Sequence, residues 1–138
     1  MKKRILYVED NPNNMLLVRR IVEADGFEFL GATEAESGWE TAVSEQPDLI
    51  LMDLHLPGEM NGFDLTSKIK QHPQLAHIPI IALTAFHSGA AEQSAIDAGC
   101  SGFLRKPADI RQIRAVLHQH LVNTEYNLPV DSAMYTYI

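Results

Sequence analysis

The chain has 138 residues, is 46% hydrophobic and 21% charged, and carries a formal net charge of −7, which fits one globular domain. The acidity argues against a direct nucleic-acid binder and against electrostatic attachment to acidic membranes. A single cysteine, Cys100, excludes an intrachain disulfide, and the basic residues 2–4 precede an apolar run too short for a signal peptide or a membrane span, so a cytoplasmic protein is expected.

Residues 5–8 form a short apolar run that reads as a strand. Asn11 suits a helix N-cap and Pro12 the first helical position. Met15, Leu17, Val18, Ile21 and Val22 recur at helical spacing, and Asp25-Gly26 ends that helix. Residues 27–32 read as a second, more peripheral strand. Residues 35–45 read as a second helix with Trp39 and Val43 on one face, broken by Pro47. Residues 49–52 are continuously apolar and run into Asp53, as expected of a strand covered on both faces.

Asn61-Gly62 signals a turn before a third helix over residues 63–70, in which Phe63, Leu65 and Ile69 are apolar. Pro73 and Pro79 bracket a loop. Residues 80–84 are a fourth strand, residues 90–98 an alanine-rich helix closed by Gly99, and residues 102–105 a short fifth strand. Asp109 caps a last helix to about residue 122, with Ile110, Ile113, Val116, Leu117 and Leu121 expected inward. Strands alternating with helices predict an α/β fold: a flavodoxin-like doubly wound (βα)5 unit with a five-stranded parallel sheet in the order 2-1-3-4-5. The expected organisation is a domain over residues 1–122 and a C-terminal tail over 123–138, leaving no room for an output domain.

In such a sheet, function collects at the carboxyl ends of the strands. Those ends carry Glu9 and Asp10, then Asp53, Thr84 and Lys106. With the first and third strands adjacent, Glu9, Asp10 and Asp53 converge. Two such charges about 4 Å apart repel by roughly 4 kcal/mol at an effective dielectric of 20, more than one lysine offsets for three acids. A hard divalent cation bound by oxygen ligands, Mg²⁺ or Mn²⁺, does offset it. A cation, an ammonium and a hydroxyl around one carboxylate suit phosphoryl transfer, with Asp53 as the nucleophile.

The motifs VEDNP, LMDLHLPG, ALTA and FLRKP, each at a strand end and in this order, resemble the receiver domain of two-component response regulators over about residues 3–122. That resemblance implies roles. Asp53 matches the phosphoacceptor, taking a phosphoryl group from a sensor histidine kinase or a histidine phosphotransfer protein. Asp10 and Asp53 match direct Mg²⁺ ligands, Glu9 a ligand through water, and the backbone carbonyl of His55 the third protein ligand. Lys106 matches the lysine that pairs with Asp53 and then with the phosphoryl oxygens. Thr84 matches the switching hydroxyl and Phe103 the switching aromatic. The Lys106–Pro107 bond is commonly cis in this family. His55 and Phe86 flank the path of water to the phosphoryl group and are expected to set its lifetime, with His87 next in line.

The function expected is a stand-alone phosphoacceptor, not a turnover enzyme, whose modification alters its affinity for a protein target at about residues 88–122. The alternatives are a phosphorylation-independent adaptor and a relay that passes the phosphoryl group onward. A dehalogenase-type phosphatase carries an acid two residues after its nucleophile, where His55 stands. A flavin-phosphate site needs a phosphate-cradling loop where EDNPNN is acidic. His118 and His120, at i and i+2, do not share a helix face and read as a solvated helix end; His72 and His77 carry no ligand pattern.

Overall fold

The computed structural model describes residues 2–85 and 89–122. Ten elements alternate along the chain: β1 (Arg4–Val8), α1 (Pro12–Ala24), β2 (Glu28–Ala32), α2 (Ala35–Glu45), β3 (Leu49–Asp53), α3 (Gly62–Gln71), β4 (Ile80–Thr84), α4 (Gly89–Ala98), β5 (Gly102–Arg105) and α5 (Ile110–Leu121). The five strands form one sheet in the order β2-β1-β3-β4-β5, with every neighbouring pair parallel. This is the flavodoxin-like α/β architecture expected from the alternation.

Successive residues of a strand face opposite sides of the sheet. Ile5 and Tyr7 of β1, Leu49 and Leu51 of β3, and Ile81 and Leu83 of β4 pack with Val18, Ile21 and Val22 of α1 and with Ile113, Val116 and Leu117 of α5. Leu6, Val8, Ile50, Met52, Ile80 and Ala82 face the other way, onto Ala35 and Ala42 of α2, Leu65 and Ile69 of α3, and Ala95 of α4. Two apolar layers therefore sandwich β1, β3 and β4, which explains why these three read as continuous apolar runs.

The caps are local. Asn11 accepts hydrogen bonds from the N–H groups of Asn13 and Asn14, with Pro12 first in the helix. Asn61 accepts from Asp64 N–H at 2.9 Å, and Asp109 from Gln112 N–H at 2.8 Å. Each satisfies a backbone donor the helix leaves open.

Helix faces are narrower than the periodicity suggests. Ile110, expected inward, is 53% exposed, and Leu17 and Val43, which recur at helical spacing, are 46% and 40% exposed. On α2 the small residues Ala35, Gly38 and Ala42 meet the sheet instead, while Trp39 is half-buried. An added Cβ at Gly38 would lie 3.0 Å from Val8, so close approach of α2 to β1 selects small side chains. His118 is not merely solvated: its Nε2 lies 2.9 Å from Asp25 Oδ2, where Asp25 also meets Arg114 at 3.0 Å. Cys100 is half-buried, and burial pushes its thiol up to about 11.

Candidate functional site

The strand register builds the site. Val8 pairs with Met52, so Glu9, which follows β1, lies beside Asp53, the last residue of β3. Asp53 pairs in turn with Leu83, which sets Thr84 at the end of β4 next to it. Thr84 pairs with Arg105, and Lys106 N–H donates to the Thr84 carbonyl at 2.8 Å. The acids, the hydroxyl and the lysine thus come from four strand ends brought together by pairing alone. The Lys106–Pro107 bond is cis.

Glu9, Asp10 and Asp53 each offer a carboxylate oxygen within 4.8 Å of the others. Glu9 is 1% exposed and Asp53 4%, while Asp10 is open to solvent. Lys106 Nζ lies 2.6 Å from Glu9 Oε1 and 3.5 Å from Asp53 Oδ2. The lysine therefore spans both buried acids and sits tighter on Glu9. Asp53 Oδ1 accepts the N–H of His55 at 3.0 Å, while the His55 side chain is exposed.

The electrostatics follow. Burial pushes Asp53 up to about 7, aided by its contact with the Glu9 carboxylate and opposed by the His55 N–H. Burial also acts against the Glu9 anion, but hydrogen bonds from Asp53, Lys106, Asn14 and Tyr7 outweigh it and bring Glu9 to about 2. Two carboxylates this close ionise in sequence, and the donors gathered on Glu9 make it the first of the two to do so. Oxygen donors of this density, with one ammonium for three acids among the described residues, fit a hard divalent cation, which Glu9, Asp10 and Asp53 could hold.

The loop after Asp53 is fixed from the far side. Gly62 N–H donates to the Leu54 carbonyl at 3.3 Å. A Cβ at Gly62 would run into the Asp53 carbonyl oxygen and come within 2.7 Å of Leu54 Cα, so only glycine lets α3 start this close to the acid.

Thr84 is fully buried at the pocket. Phe103 is half-buried against the layer that holds Ala95 of α4. Phe86, His87 and the tail at 123–138 lie outside the described residues. Two residues escape the sequence reading. Tyr7 OH donates to Glu9 Oε1 at 2.9 Å, and Asn14 Nδ2 donates to the same oxygen at 3.0 Å. The signals were there: a lone phenol in an aliphatic strand, two residues before an acid and hence on its face, and an asparagine inside a helix, where it is a poor former.

Among the described residues, no helix is long and apolar enough to cross a membrane. The family model of the response regulator receiver domain matches residues 5–118. The chain is 36% identical over 121 residues to the polar-differentiation response regulator DivK of Brucella anthropi, covering 88% of this chain and 98% of that protein. It is similar to the receiver domain of a sensor histidine kinase from Pseudomonas aeruginosa, a structure with a magnesium ion coordinated in its active-site cleft. There the TM-score is 0.81 at 27% identity, over 89% of this chain and 100% of the other. The chemotaxis protein CheY4 of Vibrio cholerae shares the fold, with a TM-score of 0.82 at 24% identity over 88% of this chain and 100% of that one. With its sheet order, its acidic pocket and these matches, the chain belongs to the response regulator receiver domain family of two-component signalling, whose members are phosphoacceptors rather than turnover enzymes.

Proposed function

We propose that Asp53 accepts a phosphoryl group from the phosphohistidine of a sensor histidine kinase or a histidine phosphotransfer protein, and that the modified chain signals by binding a protein target. The observation that carries the reading is the deficit of positive charge at the strand ends: among the described residues, three carboxylates within 4.8 Å of one another share one lysine. A purely structural ion cluster gains nothing from two surplus acids.

In the transfer, an Asp53 carboxylate oxygen bonds to phosphorus as the phosphorus–nitrogen bond to histidine breaks. Asp53 must be ionised to attack, and neutralising its neighbours favours that form. Glu9, Asp10, Asp53 and the backbone carbonyl of His55 would hold Mg²⁺ or Mn²⁺, which supplies charge neutralisation for the acids and the incoming phosphoryl oxygens. Lys106, already 3.5 Å from Asp53, is placed to meet those oxygens. Thr84 is the hydroxyl and Phe103 the aromatic that follow the added charge, and the responding surface is about residues 88–122, of which 89–122 are described. On this reading residues 1–122 are the receiver unit, 123–138 a tail, and the cytoplasm its workplace. The exposed position of His55 suits a part in setting how long the phosphoryl group survives.

The test is intact mass after incubation with acetyl phosphate and Mg²⁺. One phosphoryl group is expected on wild type, dependent on Mg²⁺ and absent from Asp53→Asn. No gain, with Mg²⁺ binding established by calorimetry, would overturn the reading and favour a phosphorylation-independent adaptor.

A further inference from the structure

We propose that Tyr7 and Asn14 are positioning residues that hold Glu9 and thereby free Lys106 to leave it when a phosphoryl group arrives at Asp53. The proposal rests on the phosphoacceptor reading above and adds two residues to it.

Glu9 Oε1 accepts three side-chain hydrogen bonds, from Lys106 Nζ at 2.6 Å, Tyr7 OH at 2.9 Å and Asn14 Nδ2 at 3.0 Å. Its Oε2 accepts the N–H of Asp10 at 3.1 Å and of Asn11 at 3.5 Å. A carboxylate has roughly four lone-pair sites, so Glu9 is well supplied with donors while the lysine is in place. The lysine is held chiefly by Glu9, since Asp53 Oδ2 is 3.5 Å away. To serve new oxygens on Asp53, Lys106 must loosen its bond to a carboxylate that is 1% exposed and that water does not readily reach. Stripping a buried anion of its donor is unfavourable. Here the penalty is reduced in advance, because Oε1 keeps Tyr7 and Asn14 after the lysine leaves, and Oε2 keeps its two backbone donors.

Space for the movement lies alongside. Tyr7, Asn14 and Lys106 line one cavity of about 290 Å³, walled on its apolar side by Leu17, Pro107 and Ile113. All three side-chain donors to Oε1 thus border the same opening between α1 and the β5–α5 connection. Packing alone does not ask for this pair of side chains. A phenyl ring would fill the place of Tyr7, and Asn14 is half-buried in a helix that it weakens.

The test has two readouts. Wild type, Tyr7→Phe, Asn14→Leu and the double variant are phosphorylated with acetyl phosphate over a range of Mg²⁺ and donor concentrations, followed by intact mass against time. The maximum rate is expected to fall roughly tenfold in the double variant, the scale of one hydrogen bond to a charged group. The half-saturating Mg²⁺ and donor concentrations should stay put. Separately, Tyr7→Phe, Lys106→Met and their combination are unfolded in urea without donor or metal. The loss of midpoint in the combination should exceed the sum of the single losses, since Glu9 then keeps one side-chain donor. Additive midpoint losses, or an unchanged maximum rate, overturn the proposal. A wild type that takes up no phosphoryl group overturns the phosphoacceptor reading and this proposal with it; a phosphorylated wild type beside unchanged variants overturns this proposal alone.

Discussion

Two ion clusters sit at opposite ends of the sheet, and they are built on different arithmetic. Where the strands begin, Asp25 at the end of α1 meets Arg114 at 3.0 Å and His118 at 2.9 Å, both on α5. One acid faces two bases there, and both bases are about half exposed, at 53% and 47%. Where the strands end, three acids face one base, and Glu9 and Asp53 are buried. The first cluster is satisfied by its own members and by water, as a clasp between α1 and α5 should be. The second is left short of positive charge around two buried acids. A fold that needed only stability would not keep it so; the deficit is what a cation and a phosphoryl group would use.

Gly62 holds the acid-rich end of the sheet in place. Gly62→Ala puts a methyl against the Asp53 carbonyl and Leu54. Either α3 or the end of β3 must move, at a loss of about 3 kcal/mol in urea unfolding. Phosphorylation should slow with it, because the displaced backbone carries Asp53 and the His55 N–H. A variant of full stability and normal rate would mean that α3 does not fix the acid.

How much of this was legible beforehand depends on the scale of the question. The sheet order and the collection of Glu9, Asp10, Asp53, Thr84 and Lys106 at one end follow from element order, because strand ends of a parallel sheet are neighbours by construction. Side-chain direction is finer. Helical spacing put Ile110 inward and gave Leu17 and Val43 a place in the apolar pattern, yet each stands a fraction of a turn outside the face that meets the sheet. The same limit hid Tyr7 and Asn14, since nothing in a linear pattern says which of several donors reaches a given oxygen. It also hid the preference of Lys106 for Glu9 over Asp53, a difference of 2.6 against 3.5 Å.

A smaller effect sharpens the contrast by pH. Asp53 titrates in the fold near 7, above its ordinary 3.8, because burial disfavours its anion. An acid raised in this way costs the fold nothing below about pH 4, where it is protonated folded or unfolded. The penalty grows as pH rises from 4 to 7 and is constant above. Asp53→Asn removes it. Without metal, the variant should gain on wild type as pH rises from 4 and be the more stable of the two at pH 8, read from urea midpoints. Saturating Mg²⁺ at pH 8 should close most of the gap by stabilising wild type alone. A gap that is flat with pH would mean that the Asp53 anion carries no such strain.

The smallest effect belongs to the balanced cluster. Asp25→Asn keeps the shape and removes the charge. Arg114 and His118 are left without their acid, but both reach solvent, so the loss should be about 1 kcal/mol, in the range of exposed ion pairs. Salt should erase much of it, since screening weakens the pair in wild type and has no such pair to weaken in the variant. The rate and extent of phosphorylation should be unchanged, because the clasp lies at the far end of α1 and α5 and shares no residue with the pocket. The same measurement on Lys106→Met gives the contrast. That substitution leaves two buried carboxylates facing each other without their base, so its loss in metal-free protein should be several times larger and should shrink when Mg²⁺ is added. Equal losses for Asp25→Asn and Lys106→Met, both indifferent to Mg²⁺, would mean that the two clusters differ in position only, and that the charge deficit at the strand ends is no store for a ligand.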